Sequence, residues 1–188
     1  MPPVNVAIDW QTFAGRYRRQ LSSVISATGN VHRTAVATLA AAVSVDDGEH
    51  EPWDFCGVYG WSNTEDHYLT WDLMISLLPS VSNKWICGGD FNQTMYHFEK
   101  RDGNMKSDYK LVKFRETIET CGLLDLGFVG EPFTWTNNQR GEDNIMERLD
   151  RIFGSEGWIA AFPGFEVSHL LRKSSDHCPI LLARWWFD

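Results

Sequence analysis

KWICGGDFNQTM, from Lys84 to Met95, is an apolar run that ends in two glycines and then delivers a carboxylate and a carboxamide, Asp90 and Asn92. The part Trp85–Gly89 reads as a short buried strand. In extended chain, residues two apart point to the same face, so Asp90 and Asn92 are expected to reach together beyond the strand end. Two convergent polar groups at the mouth of a core form a candidate site. An Asx turn, in which both side chains bond nearby backbone amides and merely close the strand, explains the same residues. Taken alone, the stretch favours the turn, and the rest of the chain has to decide.

The chain has 188 residues, 43% of them hydrophobic and 13% aromatic, with nine tryptophans. That length and composition describe one globular domain with a sizeable core. The net charge of −8 excludes tight, sequence-blind DNA binding by charge alone, because phosphate neutralisation needs a positive surface. It leaves room for a local basic groove, or for a carboxylate site compensated by a divalent cation. Cys56, Cys87, Cys121 and Cys178 lack CxxC spacing and lie in or beside apolar stretches. They read as reduced core residues in a reducing compartment. With neither a signal peptide at "MPPVNVAIDW" nor a membrane-length apolar run, the expectation is a soluble intracellular protein, the nucleus included.

Strands alternate with helices along the chain. Residues 21–61 read as three strands, with turns at Gly29-Asn30 and Asp47-Gly48. "SNTEDHYLTWDLMISLLP" reads as a helix capped by Asn63 or Thr64 and stopped by Pro79. A second helix starts at Ser107 or Asp108, buries Leu111, Phe114, Ile118 and Cys121, and ends at Gly122. Its Lys106, Lys110, Lys113 and Arg115 read as a solvated, acid-interleaved face, with phosphate contact as the alternative. "PFTWTNNQRGEDNIMERLDRIFG" reads as a hairpin whose second strand carries Leu149, Arg151 and Phe153. A short helix at 155–162 and strands near 165–170 and 179–182 complete an α/β layered domain.

More polar groups stand at the ends of apolar stretches: Tyr59, Asp150 with Arg148, and the pair Asp176–His177. Singly, each reads as structure: half-buried packing, a surface ion pair, a structural histidine. Together they fit phosphodiester hydrolysis, which needs an aligned water, charge stabilisation at the phosphoryl oxygens and help for the leaving oxygen. Asp90 would take the water's proton, with Asn92 orienting it or holding a phosphate oxygen. Asp150 beside His177 would favour imidazolium, a charged donor to the phosphate. Asp176 is a hard oxygen ligand suited to Mg²⁺ or Mn²⁺, and Tyr59 would donate a further hydrogen bond.

"YG", "GDFN", "GLLDLGF", "FTWTN", "RLDRIFGS" and "SDHCPILL" occur in an order and spacing that resemble the endonuclease/exonuclease/phosphatase superfamily, the fold of deoxyribonuclease I and the apurinic/apyrimidinic endonucleases. The succession is most similar to the endonuclease domains of plant non-LTR retrotransposons, over about residues 22–182. The resemblance implies a four-layer α/β/β/α sandwich, a Mg²⁺-dependent hydrolase and DNA as substrate; no membrane or protein partner is indicated. It makes Asp90 the general base, Asn92 its partner, Tyr59 a phosphate-site tyrosine, Asp150 the support of His177, and Asp176 a metal-site ligand.

Against that pattern, the family's asparagine-bearing first strand and metal-binding glutamate are not recognisable before Tyr59. Only fifty positions separate Asp9 from Tyr59, and Glu49 and Glu51 sit in a turn. The expectation is therefore an N-terminally truncated domain at 22–183, between an unmatched segment 1–21 and an unmatched tail 184–188, "RWWFD". Its cation site should be weakened and its turnover impaired, and the alternative is an inactive retroelement-derived remnant that binds weakly through 100–115. DNA selectivity is assigned to loops such as 136–147.

Overall fold

The computed structural model describes residues 5–8, 39–46 and 51–184. The expected turns at 29–30 and 47–48, Asp9, Glu49 and the tail beyond 184 lie outside the described residues.

A five-stranded sheet carries the candidate site. Its strands are β2 (Leu39–Val45), β3 (Trp53–Tyr59), β4 (Trp85–Asp90), β6 (Leu123–Asp125) and β10 (Asp150–Ser155), in the order β2-β3-β4-β10-β6. β3 and β4 run parallel, and β10 lies antiparallel between β4 and β6. A four-stranded sheet orders β1 (Asn5–Ile8), β12 (Ile180–Arg184), β11 (Phe165–His169) and β7 (Val129–Gly130). Three short strands, β5 (Lys100–Arg101), β9 (Met146–Glu147) and β8 (Trp135–Thr136), make a third sheet.

Two apolar clusters define the layers. Cys56, Val58, Cys87, Leu123 and Phe153 from one face of the five-stranded sheet pack on Met74 of α1 (His67–Leu77) and on Phe114 and Ile118 of α2 (Asp108–Thr120). The other face contributes Ile86 and Ile152, which meet Val167, Ile180 and Leu182 of the second sheet and Trp158 of α3 (Glu156–Ala161). Odd and even residues of β4 and β10 thus serve opposite cores, as a doubly covered strand requires. The described residues supply three of the four expected layers, α/β/β. All four cysteines are free and buried, as the composition predicts. Burial pushes the Cys121 and Cys178 thiols up to about 11, which keeps them protonated.

The helix boundaries follow local chemistry. Asn63 Oδ1 accepts the Glu65 amide at 3.3 Å and opens the 3₁₀ turn Thr64–Asp66 that leads into α1. Pro79 lies in the 3₁₀ turn Leu78–Ser80 that closes it. Gly122, at φ 64°, follows α2 and donates to Glu119 O at 2.9 Å, the left-handed stop that glycine permits. The four apolar positions expected on α2's inner face are all buried.

The hairpin expected at 132–154 is present at its loop end and corrected in its second strand by the register. β8 pairs with β9, but the chain then leaves that sheet, and the strand bearing Arg151 and Phe153 inserts between β4 and β6. The cause is burial: both faces of β10 are covered, whereas a two-stranded ribbon would leave one face wet.

Gly89 is the tightest point of the central sheet. It sits at φ +153°, and a Cβ there would lie 1.8 Å from the Val58 carbonyl oxygen on β3. Gly89→Ala is expected to destabilise the fold by about 1–3 kcal/mol, read as a lower urea midpoint at unchanged slope. A variant with the wild-type midpoint would show that β3 and β4 have room to part.

Candidate active site

Three elements deliver polar side chains to one rim of the paired sheets. Register aligns Tyr59 on β3 with Asp90 on β4, and Asp90 with Asp150 on β10. By strand alternation this row lies on the same face as Ile86 and Ile152, the face turned to the second sheet. From the loop before β12 comes His177, whose Nδ1 lies 2.8 Å from Asp150 Oδ2 while its Nε2 lies 3.8 Å from Asp90 Oδ2. Potential ligating atoms of Asp90, Asp150 and His177 fall within 4.8 Å of one another, so the trio can also hold a metal ion. The two aspartates are 3% and 1% exposed.

Asn92 joins the site by a route other than the expected one. It sits at φ 53°, outside extended geometry, so strand alternation does not carry it there. Its backbone N–H donates to Asp90 Oδ1 at 2.8 Å, and its Nδ2 donates to Asp90 Oδ2 at 3.1 Å and to Gly60 O at 2.9 Å. The Asx turn and the convergence are one structure: the left-handed residue, which asparagine tolerates, curls its side chain back onto the carboxylate.

Electrostatics separate the members. Burial, then the charge of Asp150, raises the Asp90 carboxyl from its ordinary 3.8 to about 7; His177 and the Asn92 amide pull the other way. Burial alone would lower His177, but the hydrogen bond and charge of Asp150, with Asp90 adding its charge, raise it to about 9. At neutral pH the imidazole is therefore a cation between two acids. Asp176 keeps a lowered carboxyl pKa: burial opposes this, and the Trp135 indole N–H, the His177 charge and the Ser175 hydroxyl outweigh it. Its Oδ2 accepts from Trp135 Nε1 at 3.1 Å, and its charge is felt at Asp90. It stands beside the trio and is not one of its three members.

Three supports of the site carried no assigned role in the sequence. Thr134, fully buried, accepts the backbone N–H groups of Leu149 and Asp150 on its hydroxyl, both at 2.9 Å. Its carbonyl accepts the Cys178 amide at 2.8 Å, and the Thr136 amide donates to Asp176 O at 3.0 Å. With the Trp135–Asp176 bond, "FTWTN" is a splint tying the Asp176–His177 loop to the start of β10. The third support corrects the ion pair expected at Asp150. Arg148 and Arg151 are buried, and they bond Glu99 and Asp125 rather than Asp150. Glu99 also accepts the Met95 and Tyr96 amides at 2.6 and 3.0 Å, so the box anchors the loop after Asn92 to the β10 backbone. Spacing of two arginines around an aspartate hinted at pairing, but their partners lie dozens of residues away.

The model of the Endonuclease/Exonuclease/phosphatase family matches residues 16–177. Among solved structures, the chain is similar to the endonuclease domain of TRAS1, a telomere-specific non-LTR retrotransposon, at 19% identity and a TM-score of 0.61, covering 79% of this chain and 64% of that one. It is also similar to a variant of the 3′ phosphatase NExo from Neisseria bound to product DNA hairpin, at 19% identity and a TM-score of 0.57, over 79% and 65% of the two chains. A third is AP endonuclease LMAP from Leishmania major, at 14% identity and a TM-score of 0.54, over 78% and 54%. These identities support a shared fold, and the chain spans less than two thirds of the length of each. No curated protein matches the chain by sequence.

Proposed function

Because this chain belongs to the endonuclease/exonuclease/phosphatase family, we propose that it hydrolyses phosphodiester bonds in DNA with a divalent cation, in the manner of a retroelement endonuclease. The observation that supports this reading is the Asp90–His177–Asp150 arrangement, a carboxyl near neutrality facing an imidazolium that a second carboxylate holds in place.

In this reading Asp90, once ionised, accepts a proton from the attacking water, and Asn92 fixes that carboxylate's orientation. His177 presents a positive N–H to a phosphoryl oxygen and offsets the charge that develops there. Asp150 orients the ring and holds its charge. Tyr59, in register with Asp90, adds a hydroxyl donor at the same rim. A divalent cation fits the donor set: two buried carboxylates oppose each other across β4 and β10, and burial, then the charge of Asp150, disfavours ionisation of Asp90 without a counter-charge. Asp176 and remaining lone pairs of Asp90 and Asp150 would hold it, an oxygen donor set that suits Mg²⁺ or Mn²⁺, while the protonated His177 is left to the phosphate. When bound, it neutralises phosphoryl charge and acidifies water. The acidic cluster among the described residues contains no glutamate, and the reading includes a weak cation site and slow turnover.

Nicking of supercoiled plasmid by the purified chain with Mg²⁺, with EDTA as control, tests the proposal. Relaxed circles that depend on the cation and vanish in His177→Ala are expected. No cation-dependent nicking by the wild type favours an inactive remnant, and nicking that survives the substitution removes His177 from the chemistry.

The metal-free protein gives a second test. Both raised groups bind protons more tightly folded than unfolded. The stability linked to Asp90 is complete below 3.8 and is lost as pH rises through about 7. The stability linked to His177 is complete below 6.5 and is lost as pH rises through about 9. Between pH 4 and 6.5 the lowered pKa of His67 adds stability as pH rises and offsets Asp90, so urea unfolding without metal should show its net fall from about pH 6.5 towards pH 9. Asp150→Asn should return the His177 midpoint, followed by NMR, towards its ordinary 6.5. An unmoved midpoint would mean that Asp150 is not what holds the charge.

A further inference from the structure

Between α1 and the loop before α2 lies a cavity of 360 Å³, lined among others by His67, Lys100, Asn104, Lys106, Ser107 and Lys110. Gln93, the neighbour of Asn92, also lines it. Its carboxamide is pinned by Trp71 Nε1 at 2.9 Å and by Lys110 O at 2.8 Å, so this wall is continuous with the active-site turn.

Two observations mark the cavity as a place for a ligand. The first is His67, on α1. It is 3% exposed, and neither ring nitrogen has a hydrogen-bond partner among the described residues. A buried polar group left unmade costs free energy and calls for a partner. The second is local charge. Lys106, Lys110 and Lys100 supply three ammonium groups to a chain of net charge −8. Lys100 and Lys106 share one carboxylate, Glu147, at 2.6 and 2.7 Å. Lys110 donates to Thr64 O at 2.7 Å and reaches the exposed Glu65 at 3.4 Å. Each ammonium carries three N–H groups, so donors remain after these bonds. Lys106 and Lys110 are thus half-buried cavity walls, a correction to the solvated helix face expected from the sequence.

We propose that this cavity is a phosphate-binding site, with His67 as a neutral donor and Lys106 and Lys110 as the charge that holds the anion. A phosphate oxygen would accept the imidazole N–H and place negative charge between the ring and the lysines. At present burial, then Lys106 and Lys110, lower the His67 pKa to about 4; a bound anion reverses the lysine part of that effect. The phosphate group comes either from the backbone of a nucleic acid or from a free phosphate. The site goes beyond the hydrolytic reading and does not depend on it.

The experiment follows the His67 ring resonances by ¹H–¹⁵N NMR in the 188-residue chain carrying Asp90→Asn, so that hydrolysis plays no part. One arm adds inorganic phosphate and another a short DNA oligonucleotide. Saturable shifts of His67 with either probe are expected, together with a rise of its titration midpoint from about 4. Saturation by the oligonucleotide at concentrations where inorganic phosphate does nothing assigns the backbone as source, and the reverse assigns the free ion. Lys106→Met/Lys110→Met should weaken the response about tenfold or more, as loss of charge-assisted hydrogen bonds implies. Lys110→Met alone, which leaves the pairs on Glu147 intact, serves as the milder variant. No shift with either probe, or an undiminished response in both lysine variants, overturns the proposal.

Discussion

Asp90→Asn is expected to cut Mg²⁺-dependent plasmid nicking by about 10²- to 10⁴-fold, the range for loss of a positioned general base, while making the folded protein more stable at pH 8. The two effects share one cause. Asp90 is buried against Asp150, and its carboxyl is raised to about 7, so above that pH its ionised form is held at a cost to the fold. Asparagine has the same shape, removes the charge and keeps a side-chain oxygen to accept from Asn92. A damaged fold would lose activity and stability together, whereas a lost base loses activity alone. Nicking rates with urea melts at pH 8 separate these outcomes. Wild-type nicking by the variant would remove Asp90 from the reaction. Lowered stability would mean that the carboxylate is chiefly a structural acceptor.

Arg151→Ala is expected to cost about 3–5 kcal/mol, the range for removing one partner of a buried ion pair, and to lower the melting temperature by on the order of 10 °C. Arg151 is 1% exposed and bonds Glu99 and Asp125, the latter at 2.7 Å. Its removal leaves Glu99 to Arg148 at 3.3 Å and two backbone amides. Arg151→Lys keeps the charge but loses the fork that spans two carboxylates, and should fall between wild type and alanine. A loss under about 1 kcal/mol for alanine would match an exposed pair and contradict the burial. Nicking should survive in the fraction that stays folded, since the arginine faces away from Asp90 and Asp150.

Much of this is legible in the chain, and the legible parts share a property. Asn63 and Gly122 mark helix ends through bonds that span only a few residues, and Pro79 through its missing N–H, so local sequence contains what is needed. Leu111, Phe114, Ile118 and Cys121 announce a buried helix face by spacing alone. The likeness of ordered motifs likewise points to the family that the chain matches over residues 16–177. Where a reading misses, either two local readings compete or the partner lies far along the chain. Strand periodicity places Asn92 beside Asp90, yet a left-handed turn decides its position. Arg148 and Arg151 look like partners of the aspartate between them, and bond Glu99 and Asp125 instead.

Composition and motif order by themselves determined an α/β domain of this family and nominated Asp90, Asn92, Asp150 and His177. Only the tertiary structure decided that Asp150 faces Asp90 across β4 and β10, that His177 reaches both, and that Thr134 and Trp135 tie the loops in place. The physical reason is range. A cap, a turn or an amphipathic face is settled by neighbours in sequence, whereas His177 and Asp150 stand 27 positions apart, and Arg151 and Glu99 stand 52 apart. Such pairs meet through sheet register and the burial of two apolar faces, which one chain's local pattern does not encode. The same holds for His67 and its lysines, whose cavity exists because α1 and the loop before α2 fold beside each other.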